Sequence, residues 1–157
     1  MKILYLSLRF PYPPFSGDKI RTYNILKHLS YKHSISFVSF MLSPDEKKHI
    51  NKLKEFCDEV ETVEFNKLKA YSNCIFRSYS GEPFQISYWF SSEMQRKVYN
   101  LIEKDGFDLV HVQFFRMAQY VKKYTDKRKI LDSGDSFWLN LSRRSKLDRG
   151  IAWPLLK

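Results

Sequence analysis

The sequence predicts an α/β domain, an open and mainly parallel sheet with helices on both faces. Short apolar runs rich in Leu, Val, Ile and Phe recur at residues 2–8, 34–40, 60–65 and 107–112. Between them, apolar residues return every three or four positions, the period of a helix lying on a core. Strands alternating with helices make βαβ units, whose parallel strands are covered on both sides and whose crossovers are right-handed. At 157 residues the chain is long enough for one domain with a proper core.

The first strand, residues 2–8, breaks into a Pro-rich loop that runs from Arg9 to Ser16, and Gly17-Asp18 then opens a helix. Over 19–31, Ile20, Tyr23 and Leu26 share one side of that helix, and Ile25 and Leu29 widen the stripe into a buried face. Residues 34–40 read as a second strand. Ser43-Pro44-Asp45-Glu46 is a helix start, with Ser as cap, Pro at the first position and acids in the first turn. That helix runs to about Phe56 and buries Ile50, Leu53 and Phe56. Val60, Thr62, Val63 and Phe65 mark the third strand.

Residues 66–80 form a helix with Leu68, Tyr71, Ile75, Phe76 and Tyr79 on its apolar side, and Gly81-Glu82-Pro83 stops it. The stretch 84–90 is apolar and irregular. Ser92-x-x-Gln95 resembles a capping box, opening a helix with Met94, Val98, Leu101 and Ile102 inward and Gly106 at its end. Residues 107–112 are the fourth strand, 117–124 a short helix, and Lys129-Ile130-Leu131 a fifth, short strand. Sheets of this Rossmann-like kind gather ligands at the C-terminal ends of their strands. Three loops therefore matter: 9–18, 113–116 and 132–136.

At the first of these loops, Gly17 has no Cβ, so a ligand can approach the main chain closely. The helix it opens offers unpaired N–H groups and the positive end of its dipole. A tight turn at Gly17 and a cap at Asp18 account for the same two residues. His111 sits inside an apolar run and reads as a structural histidine with its hydrogen bonds satisfied. Asp132 and Asp135 lack the further ligands a metal site needs, so no metal is expected. There is no P-loop and no nucleophilic triad. A receiver domain is excluded because Arg9, Phe10 and Pro11 stand where its acidic pair would be.

Composition narrows the partners. With 13 Phe, 10 Tyr and 3 Trp, the chain can fill a globular core. The 27 Lys and Arg against 17 Asp and Glu give a formal charge of +10, which favours anionic partners such as phosphates and acidic lipid surfaces. Clusters at Lys122-Lys123, Lys127-Arg128-Lys129 and Arg143-Arg144 serve equally as solvated surface. No nucleic-acid reader motif accompanies the charge, so nucleic acid is not among the expected partners. The N-terminal apolar run is too short for a span and lacks a signal layout. Cys57 and Cys74 have no metal or redox spacing. The expected location is cytoplasmic, with a peripheral position at the inner face of the membrane as its variant.

Three strings carry a resemblance: MKILYLSLRFPYPPFSGDKIRTYNILKHL at the start, FDLVHVQFFRMAQYV at the fourth strand, and KILDSGDSFWLNLSRRSKLDRG after the fifth. Together they resemble the N-terminal half of a family-4-type glycosyltransferase of the GT-B fold, in the exopolysaccharide-associated branch. There the first loop reads P-x-P-P-x-x-G-D-K-I-R. Asp18 stands where many relatives have a second glycine, and Gln113 where many have a histidine that contacts the donor sugar. A glutamine can bond a sugar hydroxyl but cannot carry a proton. The resemblance implies a retaining transfer of sugar from a nucleotide-sugar to a glycan or lipid-linked acceptor, without a cofactor.

The resemblance further implies substrate contacts at Gly17, Asp18, Lys19, Arg21, Gln113, Asp132, Asp135 and Ser136, with no residue assigned to catalysis. Lys19 and Arg21 would meet a diphosphate, or else lie on a solvated helix face. Asp132, Ser133, Asp135 and Ser136 would accept hydrogen bonds from an acceptor sugar, or else cap a helix beginning near Ser136. The family's second domain, which binds most of the nucleotide-sugar and carries a Glu-x7-Glu motif, has no counterpart in residues 1–157. The chain is accordingly expected to be a fragment with negligible transferase activity alone. The alternative is a non-catalytic module that docks on an anionic membrane or a partner subunit.

Overall fold

The computed structural model describes residues 1–79, 81–104, 106–134, 139 and 142–143. Its strands are β1 (Lys2–Ser7), β2 (Ser34–Met41), β3 (Glu59–Glu64), β4 (Leu109–Gln113) and β5 (Lys129–Asp132). All five are parallel and stand in the order β3-β2-β1-β4-β5. The helices are α1 (Gly17–Ser30), α2 (Ile50–Lys54), α3 (Lys67–Ser78), α4 (Phe84–Tyr88), α5 (Ser92–Lys104) and α6 (Phe115–Ala118), with a 3₁₀ segment at Pro44–His49. This is the α/β Rossmann-like architecture that the alternating pattern predicts.

Two apolar layers sandwich the sheet, because successive strand residues point to opposite faces. On one face Tyr5, Ile35 and Phe37 pack under Leu26 of α1 and Leu53 of α2. On the other, Leu4, Leu6, Val38, Phe40, Val110 and Val112 pack against Met94, Val98, Leu101 and Ile102 of α5 and Met117 of α6. The central strands are buried on both sides, so β2 is buried from Ile35 to Met41 without alternation. Tyr120 ties the second layer together: its hydroxyl donates to the Trp89 carbonyl and accepts from the Ser91 N–H at 2.9 Å.

The Ser43 start is a true capping box: the Ser43 hydroxyl accepts from the Asp45 N–H, and the Glu46 carboxylate from the Ser43 N–H. The chain after it takes up a 3₁₀ segment before the short α2, rather than one helix to Phe56. The capping box expected at Ser92 lies one residue earlier. Ser91 accepts from the Met94 N–H, and the Gln95 amide instead donates to the Tyr120 carbonyl at 3.2 Å. Residues 84–88, expected to be irregular, form α4. The helix expected over 117–124 is α6, which starts at Phe115 and ends at Ala118, and β4 extends to include Gln113.

One helical face turns differently from its expected orientation, and another departs from it at a single residue. In α1 Leu26 is buried and Tyr23, Ile25 and Leu29 pack against the same core, as expected, while Ile20 is 46% exposed and Thr22 is buried instead, bonded to Gln113. In α3 the expected buried stripe is the outer one: Leu68 is 82% exposed, Phe76 78% and Tyr79 93%, with Tyr71 and Ile75 also exposed. The side that packs is built from Ala70 and Cys74, small enough for close approach to α4. Asn73 fixes that orientation by donating to the Phe90 carbonyl at 2.8 Å, and Arg77 lies 3.9 Å from the Phe90 ring centroid.

Candidate functional site

The strand order reverses between β1 and β4, since β2 and β3 lie beyond β1 on one side and β5 beyond β4 on the other. In an open parallel sheet the crevice forms at the C-terminal ends of the two strands flanking that reversal. Here those ends carry Ser7 and Gln113. Gln113 is 1% exposed, and its Oε1 accepts from the Ser7 hydroxyl at 2.8 Å and from the Thr22 hydroxyl of α1 at 2.6 Å. Each hydroxyl has a backbone carbonyl in reach as well, Arg9 at 2.9 Å and Asp18 at 2.8 Å. An amide turned end for end would donate to both hydroxyls while they donate to those carbonyls. Either way, one buried amide joins β1, β4 and the first turns of α1.

Above this polar floor the charged residues stand in pairs. Arg21 meets Asp132 at 2.9 Å, Arg9 meets Asp18 at 3.1 Å, and Lys19 meets the buried Glu46 at 2.8 Å. Asp18 also accepts from the Ser16 hydroxyl. Burial alone would raise its carboxyl. Ser16, the Arg9 guanidinium and the Lys19 backbone N–H outweigh that and hold it below the usual carboxylate range. A side-chain carboxylate thus occupies the N-terminus of α1. Gly17 is exposed, and a Cβ built on it meets nothing within 4 Å, so the main chain there is open to a ligand.

The far wall comes from the ends of β4 and β5. Phe114, immediately after β4, has φ 67° and ψ 137°, a conformation a non-glycine residue adopts only under constraint. Its N–H donates to the Asp132 carbonyl at 2.7 Å, and the Gly134 N–H donates to Asp132 Oδ1 at 3.0 Å. Gly134 has φ +72°, and a Cβ there would lie 2.8 Å from the Phe114 ring. Asp132 is therefore held by its own backbone, by the following turn and by Arg21.

The structure brings together Gln113, Arg21 and Asp132, sets Gly17 and Asp18 on the rim, and draws Lys19 off to Glu46. Asp135 and Ser136 lie outside the described residues. Sequence reasoning missed Ser7, Thr22, Phe114 and Gly134. Ser7 and Thr22 had one signal, a polar residue inside an apolar strand end and an apolar helix stripe; Phe114 had none. Among the described residues no group of three or more His, Cys, Asp or Glu gathers as a metal site. Cys57 is buried, its thiol pushed up to about 12 by burial and the nearby Asp58, and Cys74 is buried and free as well.

His111 shares this face of the sheet, its ring stacked on Tyr5 at 4.4 Å. Its Nδ1 is buried without a partner among the described residues, so it is not the fully satisfied histidine expected. Burial pushes its pKa below the usual histidine value, Asp132 opposes that shift, and Arg21 reinforces it. The unfolded chain therefore takes up this proton at a higher pH than the folded one. The stability contributed by neutral His111 is complete above about pH 6.5 and is lost as pH falls from there through the lower folded value. We expect His111→Gln to flatten that limb of a stability–pH profile measured by urea unfolding. An unchanged slope would mean that His111 titrates alike in both states.

No family model, no curated protein and no solved structure matches the chain.

Proposed function

We propose that residues 1–157 form the acceptor-side, Rossmann-like domain of a retaining glycosyltransferase of the GT-B type. The substrates are a nucleotide-sugar and a glycan or lipid-linked acceptor. The observation that carries this reading is the set of polar groups at the strand reversal: buried Gln113 joining β1, β4 and α1, the Arg21–Asp132 pair at the end of β5, and the open backbone at Gly17. Catalysis in such a transfer consists of holding an acceptor hydroxyl against the anomeric carbon while a diphosphate leaves. Arg9, Lys19 and Arg21 each already hold a carboxylate, which favours neutral sugar hydroxyls over a diphosphate at this rim. The acceptor accordingly sits here and the donor diphosphate is held mainly by a second domain.

Isotope-labelled protein titrated with an oligosaccharide, and separately with a nucleotide-sugar, tests the reading by amide chemical shifts. The oligosaccharide is expected to move Gly17, Gln113 and Gly134, and the nucleotide-sugar to move them less. The reading fails if neither ligand moves them at millimolar concentration. It fails equally if the shifts collect at the opposite end of the sheet, around Lys2, Ser34 and Asp108.

A further inference from the structure

The outer face of α3 has no role in the crevice and breaks the usual rule for a helix on a sheet. Leu68, Tyr71, Ile75 and Tyr79 follow one another down the exposed side, with Phe76 beside them. Aromatic contacts extend the apolar surface onto α4: Tyr71 meets the edge of Tyr88 at 5.5 Å, and Tyr88 stacks on Phe84, itself 62% exposed, at 5.9 Å. A contiguous apolar surface rimmed by polar residues marks an interaction site. At 100° per residue, Lys67 and Lys69 fall on either side of the Leu68–Tyr79 stripe, and no acidic residue occurs from Asn66 to Tyr79.

We propose that this face of α3, extended by Phe84, docks in the plane of an anionic lipid bilayer. The apolar side chains enter the headgroup boundary, the two tyrosines sit at its polar level, and Lys67 and Lys69 meet acidic headgroups from both flanks. No helix among the described residues is long and apolar enough to cross a membrane, so the helix lies on the surface instead of spanning it. Charge decides against a second copy of the chain as the occupant. Two such faces would bring lysines against lysines in a protein of formal charge +10, whereas an acidic leaflet complements both. The proposal is independent of the transferase reading.

Co-sedimentation with vesicles tests it, using phosphatidylcholine alone and phosphatidylcholine mixed with phosphatidylglycerol, each at low and high salt. The protein is expected to bind the mixed vesicles at least roughly tenfold more tightly, and the difference is expected to shrink with salt. Leu68→Gln with Phe76→Gln should weaken that binding by roughly tenfold or more. Replacing either Lys67 or Lys69 by Gln should cost roughly fivefold. Because all four side chains are exposed, thermal unfolding should stay unchanged. The proposal is overturned if mixed vesicles bind no better than neutral ones, or if the Leu68/Phe76 variant binds as the parent does. Sedimentation velocity supplies a further outcome: a concentration-dependent dimer that the same variant dissolves, without vesicle binding, assigns the face to a second copy and overturns the proposal.

Discussion

Replacing Gln113 by alanine is expected to lower the unfolding free energy by about 2–3 kcal/mol. The side chain is 1% exposed and joins Ser7, at the end of β1, to Thr22 on α1. Removing it opens a cavity at the strand reversal and breaks both bridges, and each effect separately costs on the order of 1–3 kcal/mol. The sum stays below the simple total because the Ser7 and Thr22 hydroxyls keep the Arg9 and Asp18 carbonyls as acceptors. For a domain of this size each kcal/mol shifts the melting temperature by about 2–4 °C, so a fall of roughly 5–10 °C follows. A change smaller than about 0.5 kcal/mol in urea unfolding would mean that the amide does not tie α1 to the sheet. On the proposed reading, sugar binding should fall with it, since Gln113 joins the strand ends and α1 at the proposed acceptor site.

Gly134→Ala should be nearly as costly, by about 2 kcal/mol, for a different reason. At φ +72° alanine carries a backbone penalty of order 1–2 kcal/mol. Its Cβ would also stand 2.8 Å from the Phe114 ring, on a residue already held at φ 67°. One of the two must move, and the Phe114 N–H and the Gly134 N–H are the groups that fix Asp132. The expected readout is therefore double. Stability falls by that amount and, on the proposed reading, the Gly17 and Gln113 amides no longer respond to oligosaccharide as Asp132 shifts. An alanine variant that unfolds like the parent would show that the turn accepts a side chain and that Phe114 is not locked by it. Adding Phe114→Gly to that variant removes both the ring and the positive-φ penalty, and should recover part of the loss.

The order and kind of the main elements were legible because they are local. Apolar runs of strand length, the Ser43-Pro44-Asp45-Glu46 start and the Gly17 opening each act over a few residues, and the structure keeps them. Boundaries slipped where neighbours compete for a helix end: Ser91 rather than Ser92 caps α5, since the Gln95 amide finds the Tyr120 carbonyl instead of its own turn. The candidate residues were legible as strand-end and helix-start positions, but their side-chain partners were not. Asp18, Lys19 and Arg21 stand within four residues of one another at the loop end and helix start, yet their charges go to Arg9, Glu46 and Asp132.

From its sequence alone this protein is an α/β domain with a parallel sheet, because strand and helix periods and chain crossovers follow from local chemistry. Tertiary structure alone decided two things. It brought Ser7 and Thr22 onto Gln113 across separations of 106 and 91 residues, pairings that exist only once β1 and β4 lie side by side. It also turned α3 so that Ala70 and Cys74 pack while Leu68, Phe76 and Tyr79 face outward. Periodicity states which residues share a helix face. Which face meets the core depends on the surface the helix finds there, and against α4 the small side packs closer than the large one.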